Sequence, residues 1–152
     1  MCAIIANMKT EIFDALFTIV NFFNDPRHDA KLLKKAGISN DQNLLPVVVR
    51  VGKSGTISVG ELAAQLGKNH SSTSRQVDKF VEKGLLLSYP SKEDKRVRIV
   101  TLTEDGKKLY TQLTNARSEV MEELLTHFTC AEVKEISVSL QKLAKILAEK
   151  NK

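Results

Sequence analysis

Tryptophan is absent from the 152-residue chain and aromatic residues make up only 5% of it, so its core must be built from aliphatic side chains. Cysteine is scarce. Cys2 and Cys130 are too few and too far apart for a disulfide framework, which points to a reducing, cytoplasmic setting. Nothing in the sequence around either thiol marks it as activated for redox chemistry. No run approaches the roughly 18 apolar residues needed to cross a bilayer, so no membrane association is expected. The apolar start Met1 to Asn7 lacks the basic region and the length of a signal peptide. Met8 is an alternative start that would leave Met1 to Asn7 as an appended extension. His28, His70 and His127 are scattered, with no i,i+4 pair and no cysteine beside them, so no metal site is expected. Neither a nucleophile elbow nor a glycine-rich phosphate loop frames the serines, histidines and aspartates. The reading therefore excludes an enzyme and a bound cofactor.

What the chain does hold is ordinary globular material, 42% hydrophobic and 27% charged, with a formal net charge of +5. Its length fits one domain, or one domain with appended helices. The charge is unevenly placed. Between Lys68 and Arg98 eight basic residues face four acidic ones, whereas the rest of the chain carries fifteen basic and fourteen acidic. Net basicity alone is weak evidence for nucleic acid, but a local concentration of it is informative.

Hydrophobic spacing predicts a helix over about Lys9 to Phe23, with Ile12, Leu16, Ile19 and Phe23 in one stripe and Phe13, Phe17 and Val20 in a second. That apolar face is wider than one packing contact requires. Asn24-Asp25-Pro26 ends it, and a short helical piece over Asp29 to Ala36 is closed by Gly37. Ser39-x-x-Gln42 reads as a capping box opening a helix through Val51, with Pro46 near its first turn, a stop near Gly52, and a turn at Lys53-Ser54-Gly55. A second box, Ser58-x-x-Glu61, precedes Val59, Leu62, Ala63 and Leu66 at helical spacing, and Gly67 supplies the left-handed cap. A further helix starts at Asn69 and runs to Lys83, ended by Gly84. Two short helices joined by a glycine turn form the helix-turn-helix pattern. Leu85 to Tyr89 and Val97 to Leu102 are β-prone runs around the polar stretch Pro90 to Arg96, a hairpin with a long basic tip. Thr103 caps a helix through Leu125, and Thr129-x-x-Glu132 opens a last one to about Lys150, striped by Ile136, Leu140, Leu143 and Leu147.

On the helix from Asn69 to Lys83, at 100° per residue, Thr73, Val77, Phe80 and Val81 fall on one side. Ser72, Arg75 and Lys79 fall on the other, flanked by Gln76 and Lys83. Hydroxyl, amide, guanidinium and ammonium groups on one exposed face suit a major groove, where Arg pairs bidentately with guanine and Gln with adenine. Alone, such a face could equally be a solvated one. Its position after a capped helix and a glycine turn favours DNA. The hairpin tip brings Lys92, Asp94, Lys95 and Arg96 together, with Arg98 beyond. An arginine on such a tip can enter a narrow minor groove, and Asp94 could pair with a cationic side chain and aim Arg96. An ordinary charged turn is the alternative.

Glu61-Leu62-Ala63, then Ser74-Arg75-Gln76-Val77, Lys83-Gly84-Leu85, Asp94-x-Arg96 and Leu102-Thr103-x-x-Gly106 follow one another in an order and spacing that resembles the multiple-antibiotic-resistance regulator (MarR) family. The flanking helices extend the resemblance over nearly the whole chain. Two positions depart from the family pattern: Ser88 stands where a basic residue is common before the wing, and Thr73 where a buried Val is usual.

The resemblance implies a mainly α protein with a small β-hairpin, a winged helix-turn-helix over 38–103 with its wing at 85–102. Dimerisation helices at 9–36 and 104–150 would flank it within a single regulator. It implies a transcriptional regulator, a repressor, that acts as a homodimer on a pseudo-palindromic double-stranded operator and is released by a small aromatic or phenolic effector, whose pocket residues the sequence leaves unknown. Ser71, Ser72, Ser74, Arg75 and Gln76 would contact DNA, Arg96 would probe the minor groove, and Asp94 would orient the wing. Lys79, Lys92, Lys95 and Arg98 complete the expected DNA surface. The rival reading is a winged-helix protein-interaction module that does not bind DNA.

Overall fold

The computed structural model describes residues 3–35 and 43–150. The chain resolves into two compact units, one running to Ala116 and the other from Arg117.

The first unit opens with α1 (Ala3–Asn24) and α2 (Pro26–Lys35). Helix α1 begins earlier than its hydrophobic spacing predicted, so Met1 to Asn7 is helical from Ala3 onward. Pro26 suits the first position of α2 because its fixed φ is already helical and its missing N–H would be unpaired there anyway. The Asp25 carboxylate accepts from the Arg27 backbone N–H at 2.9 Å and grips its guanidinium at 2.6 Å, so α2 starts a few residues before Asp29. Gly37 and the expected capping box Ser39-x-x-Gln42 lie outside the described residues.

Helix α3 (Leu44–Ser54) runs past Gly52 and stops at Gly55, which takes a φ of 73°. Gly52 is thus not a terminator. A Cβ there would collide with the Tyr110 ring, so the residue is glycine to let that ring lie on the helix. Next comes β1 (Thr56–Ser58), then α4 (Val59–Leu66), α5 (His70–Glu82), β2 (Leu86–Pro90), β3 (Arg98–Leu102) and α6 (Glu104–Leu125). The expected hairpin is therefore one part of a three-stranded antiparallel sheet of order β1-β3-β2. Ile57 pairs with Val100, and Ser88 pairs with Val100 from the other side.

The core of this unit is aliphatic around one ring. Val47, Val48 and Val51 of α3, Leu62 of α4, Val77 and Phe80 of α5, Leu86 and Val100 of the sheet, and Leu109 and Leu113 of α6 are all buried, with Leu33 of α2 joining them. Gly106 permits a second close approach, since a Cβ there would overlap the Leu85 carbonyl oxygen. Thr103 caps α6 as its sequence predicted: its hydroxyl accepts from the Gly106 N–H at 3.0 Å and donates to the Gly84 carbonyl at 2.6 Å.

The second unit comprises the end of α6 and α7 (Cys130–Lys150). The Thr129–Glu132 box forms in full: Glu132 Oε2 accepts from the Thr129 N–H and hydroxyl, both at 2.8 Å, and the Glu132 N–H returns to Thr129 Oγ1 at 3.3 Å. No residue of α7 is buried.

Candidate nucleic-acid interface

The site is assembled by the pair α4 and α5 and by the wing. Ser58 Oγ accepts from the Glu61 N–H at 3.1 Å, while Glu61 Oε2 accepts from the Ser58 hydroxyl at 2.7 Å and its N–H at 3.0 Å. Those donations, the hydroxyl's first, hold the Glu61 carboxyl below its usual pKa. The reciprocal box fixes where α4 begins. Gly67, at a φ of 62°, ends it in the left-handed region, with its N–H returning to Ala64 and Ala63. Asn69 then caps α5, accepting from the Ser72 N–H at 2.8 Å.

Helix α5 turns its apolar side inward as its spacing required: Thr73, Val77 and Phe80 are each 0% exposed. Thr73, the departure from the usual Val, is accommodated because its hydroxyl donates to the Asn69 carbonyl at 3.1 Å. No buried polar group is left unpaired there. On the outward side Ser71, Arg75 and Lys79 are exposed, and Ser72, Ser74 and Gln76 are half-buried. The Gln76 carbonyl oxygen is a singular feature. Oε1 is buried and has no hydrogen-bond partner. A buried acceptor in that condition is costly, and its residue flanks the face expected to read bases. Lys83 lies over the Phe80 ring, 5.6 Å from its centroid, at the far end of the helix.

The wing tip is shaped by local hydrogen bonds. The Ser91 N–H donates to the Val97 carbonyl at 2.7 Å, and the Val97 N–H to the Asp94 carbonyl at 2.9 Å. Asp94 Oδ1 accepts from the backbone N–H of Arg96 at 2.9 Å. Asp94 therefore reaches Arg96 through its backbone, the turn that aspartate favours, where the sequence suggested a cationic side chain as its partner. The Arg96 guanidinium is exposed, as are Lys92 and Lys95.

Arg98 differs from the other cations. Its Nε and Nη2 donate to Ser88 Oγ at 2.9 and 2.8 Å, its Nη1 to Ser74 Oγ at 3.2 Å, and its Nη2 to Asp78 Oδ1 at 2.6 Å. Expected on the DNA-facing surface, it is turned inward between wing and helix. This also accounts for Ser88: the cation commonly found at that position arrives instead from β3, and the serine hydroxyl accepts it. Ser88 was noted in the sequence only as a departure from the family pattern, and Asp78 was not assigned to the site. The signal for Asp78 was slight: an aspartate one turn after Ser74 on a helix followed by a strand that carries an arginine.

The model of the MarR family matches residues 42–97. The HTH-type transcriptional regulator BilQ of Clostridium symbiosum is 33% identical over 113 residues, which span 74% of this chain and 77% of that protein. A MarR family protein from Bacillus stearothermophilus superposes with a TM-score of 0.81 at 19% identity, over 94% of this chain and 97% of that one. The structure of NadR in complex with 4-hydroxyphenylacetate gives 0.62 at 20% identity, over 91% and 93%.

Proposed function

The chain belongs to the MarR family and is a DNA-binding transcriptional regulator, not an enzyme; from that premise we propose that it is a cytoplasmic repressor, a homodimer that binds a pseudo-palindromic operator. The observation that carries the assignment of its DNA surface is the juxtaposition of an exposed polar face on α5 with an exposed, cation-bearing wing tip. Helix α5 enters the major groove. Arg75 presents its fork to guanine, and Gln76, whose Oε1 is buried in the free protein, turns its amide outward to adenine on binding. Ser71 and Ser72, at the helix start, donate to phosphates or base edges, and Lys79 neutralises the backbone. Lys92 and Lys95 take phosphates beside the wing. Arg96 enters the minor groove, where a narrow channel deepens the negative potential, and Asp94 holds the turn that delivers it.

The homodimer is supported by apolar surface left open on the helices outside the winged part. On α1, Ile12, Phe13, Phe17, Val20 and Phe23 are each more than half exposed, and on α7 so are Ile146 and Leu147. Contiguous apolar surface of this kind marks an interaction face. We place dimerisation on these terminal helices, and two-fold symmetry then sets half-sites about one helical turn, roughly 10 bp, apart. Release of the operator by a small aromatic acid is supported by the 4-hydroxyphenylacetate held by the structural relative NadR.

Footprinting of the wild type against Arg75→Ala and Arg96→Ala tests the assigned surface. Arg75→Ala is expected to lose sequence preference, and Arg96→Ala to weaken binding while the dimer stays intact by sedimentation. Footprints identical to wild type from both variants would place the DNA surface elsewhere.

A further inference from the structure

We propose that Arg98 is a positioning residue that locks the wing to the recognition helix and so sets the separation between the major-groove and minor-groove readers. The inference rests on the DNA-binding reading above and takes Arg98 out of the DNA surface that the sequence led one to expect. One guanidinium joins three elements: it leaves β3, passes Ser88 on β2, and ends on Ser74 and Asp78, one turn apart on α5. The core that helix and sheet share is apolar and includes Val77, Phe80, Leu86 and Val100. Apolar contacts of that kind are non-directional and tolerate small rotations. Charge-assisted bonds from a planar fork do not, because each donor direction is fixed relative to the others.

The placement joins the two readers. Ser74 adjoins Arg75, and Arg98 lies two residues from Arg96 at the base of the same loop. A shift at the clamp therefore moves both arginines relative to one another. The charge of Arg98 is balanced inside the protein. Asp78 accepts from the guanidinium at 2.6 Å, so Arg98 carries its counter-charge within the protein and releases no counterion from DNA. Ser74 accepts from Arg98, which leaves the serine proton to be donated outward, toward a phosphate or base.

The test compares wild type, Arg98→Gln and Asp78→Asn, each alone and combined with Arg96→Ala. Asp78 is half exposed, so Asp78→Asn guards against a variant that fails to fold. In the free protein, amide exchange over Ser88, Tyr89 and Arg98 is expected to speed up on the order of tenfold in Arg98→Gln. On DNA, Arg98→Gln is expected to weaken binding on the order of tenfold, and on the Arg96→Ala background to leave the slope of log affinity against log salt unchanged. Arg96→Ala should then cost little further, because the two residues act through one geometry. A slope reduced by about 0.9 on that background, the signature of one lost phosphate contact, with losses that add to those of Arg96→Ala, would overturn the proposal and return Arg98 to the DNA surface. Should the wild type bind no duplex, the DNA reading fails and the exchange result decides the clamp by itself: unchanged exchange refutes it.

Discussion

Gln76 offers a sharp test because it sets stability against recognition at one side chain. Its Oε1 is buried without a partner, although the side chain as a whole is only half-buried. Leaving such an acceptor unpaired costs about 1–3 kcal/mol, and the partial exposure argues for the lower end. Gln76→Met keeps the length of the side chain and removes the buried oxygen. The variant should therefore be more stable by about 1 kcal/mol, which at a urea slope of about 2 kcal/mol/M moves the unfolding midpoint up by about 0.5 M. Gln76→Glu should move it down, since a carboxylate oxygen would then be buried at the same place. On DNA the order reverses. A lost bidentate contact to adenine is worth about 1–3 kcal/mol of discrimination, or roughly 5- to 150-fold between the preferred base and its competitors. Urea denaturation at fixed protein concentration reads the first effect, and competition binding with single-base operator variants reads the second. A midpoint that stays put or falls in Gln76→Met would refute the claim that the residue is held in an unfavourable free state for the sake of binding.

Gly106→Ala should lose about 2 kcal/mol, because the added methyl overlaps the Leu85 carbonyl that also accepts from the Thr103 N–H at 3.1 Å. Calorimetry would show Tm falling by roughly 4–8 °C. Arg96→Ala should reduce the slope of log affinity against log salt by about 0.9, whereas an unchanged slope would mean that its guanidinium meets no phosphate-lined groove. Ser58→Ala should destabilise α4 by about 1 kcal/mol through loss of its cap, as chemical denaturation would report. It should also flatten the acid limb of the stability curve. Glu61, Glu104 and Glu132 all have lowered pKa values in the folded chain, from the Ser58 hydroxyl, the Lys107 ammonium and the Thr129 backbone N–H respectively. Groups lowered on folding contribute stability above the ordinary carboxylate range and lose it as the pH falls below that range. The wild type should thus lose stability in that acid window, and Ser58→Ala should lose less of it.

Local chemistry was the readable part of this chain. The boxes at Ser58–Glu61 and Thr129–Glu132, the cap at Asn69 and the left-handed glycine at Gly67 depend on residues three or four apart, and each stands where its spacing put it. The buried side of α5 followed from helical period alone. What was missed is non-local. Strand β1 is three residues long and exists because β3 offers it a partner more than forty residues away, Thr56 facing Thr101; no run of β-prone residues announces it. Gly52 reads as a helix stop until the Tyr110 ring is known to lie against it. The direction of Arg98 could not be read either, because in sequence it continues a basic tip; the register of β2 on β3 brings Ser88 within its reach, and the packing of α5 brings Ser74 and Asp78. The candidate site was thus legible as a set of residues on a helix face and a loop, but not in how they are braced.

The central claim is that the face of α5 and the tip of the wing read duplex DNA together, twice, across a two-fold axis. Selection of bound fragments from random duplexes, followed by a salt titration on the enriched sequence, tests it most directly. An inverted repeat with half-site centres about 10 bp apart is expected, with an affinity that falls steeply with salt as several phosphate contacts are lost. A pool with no enriched symmetric sequence, bound with an affinity indifferent to salt, would contradict it.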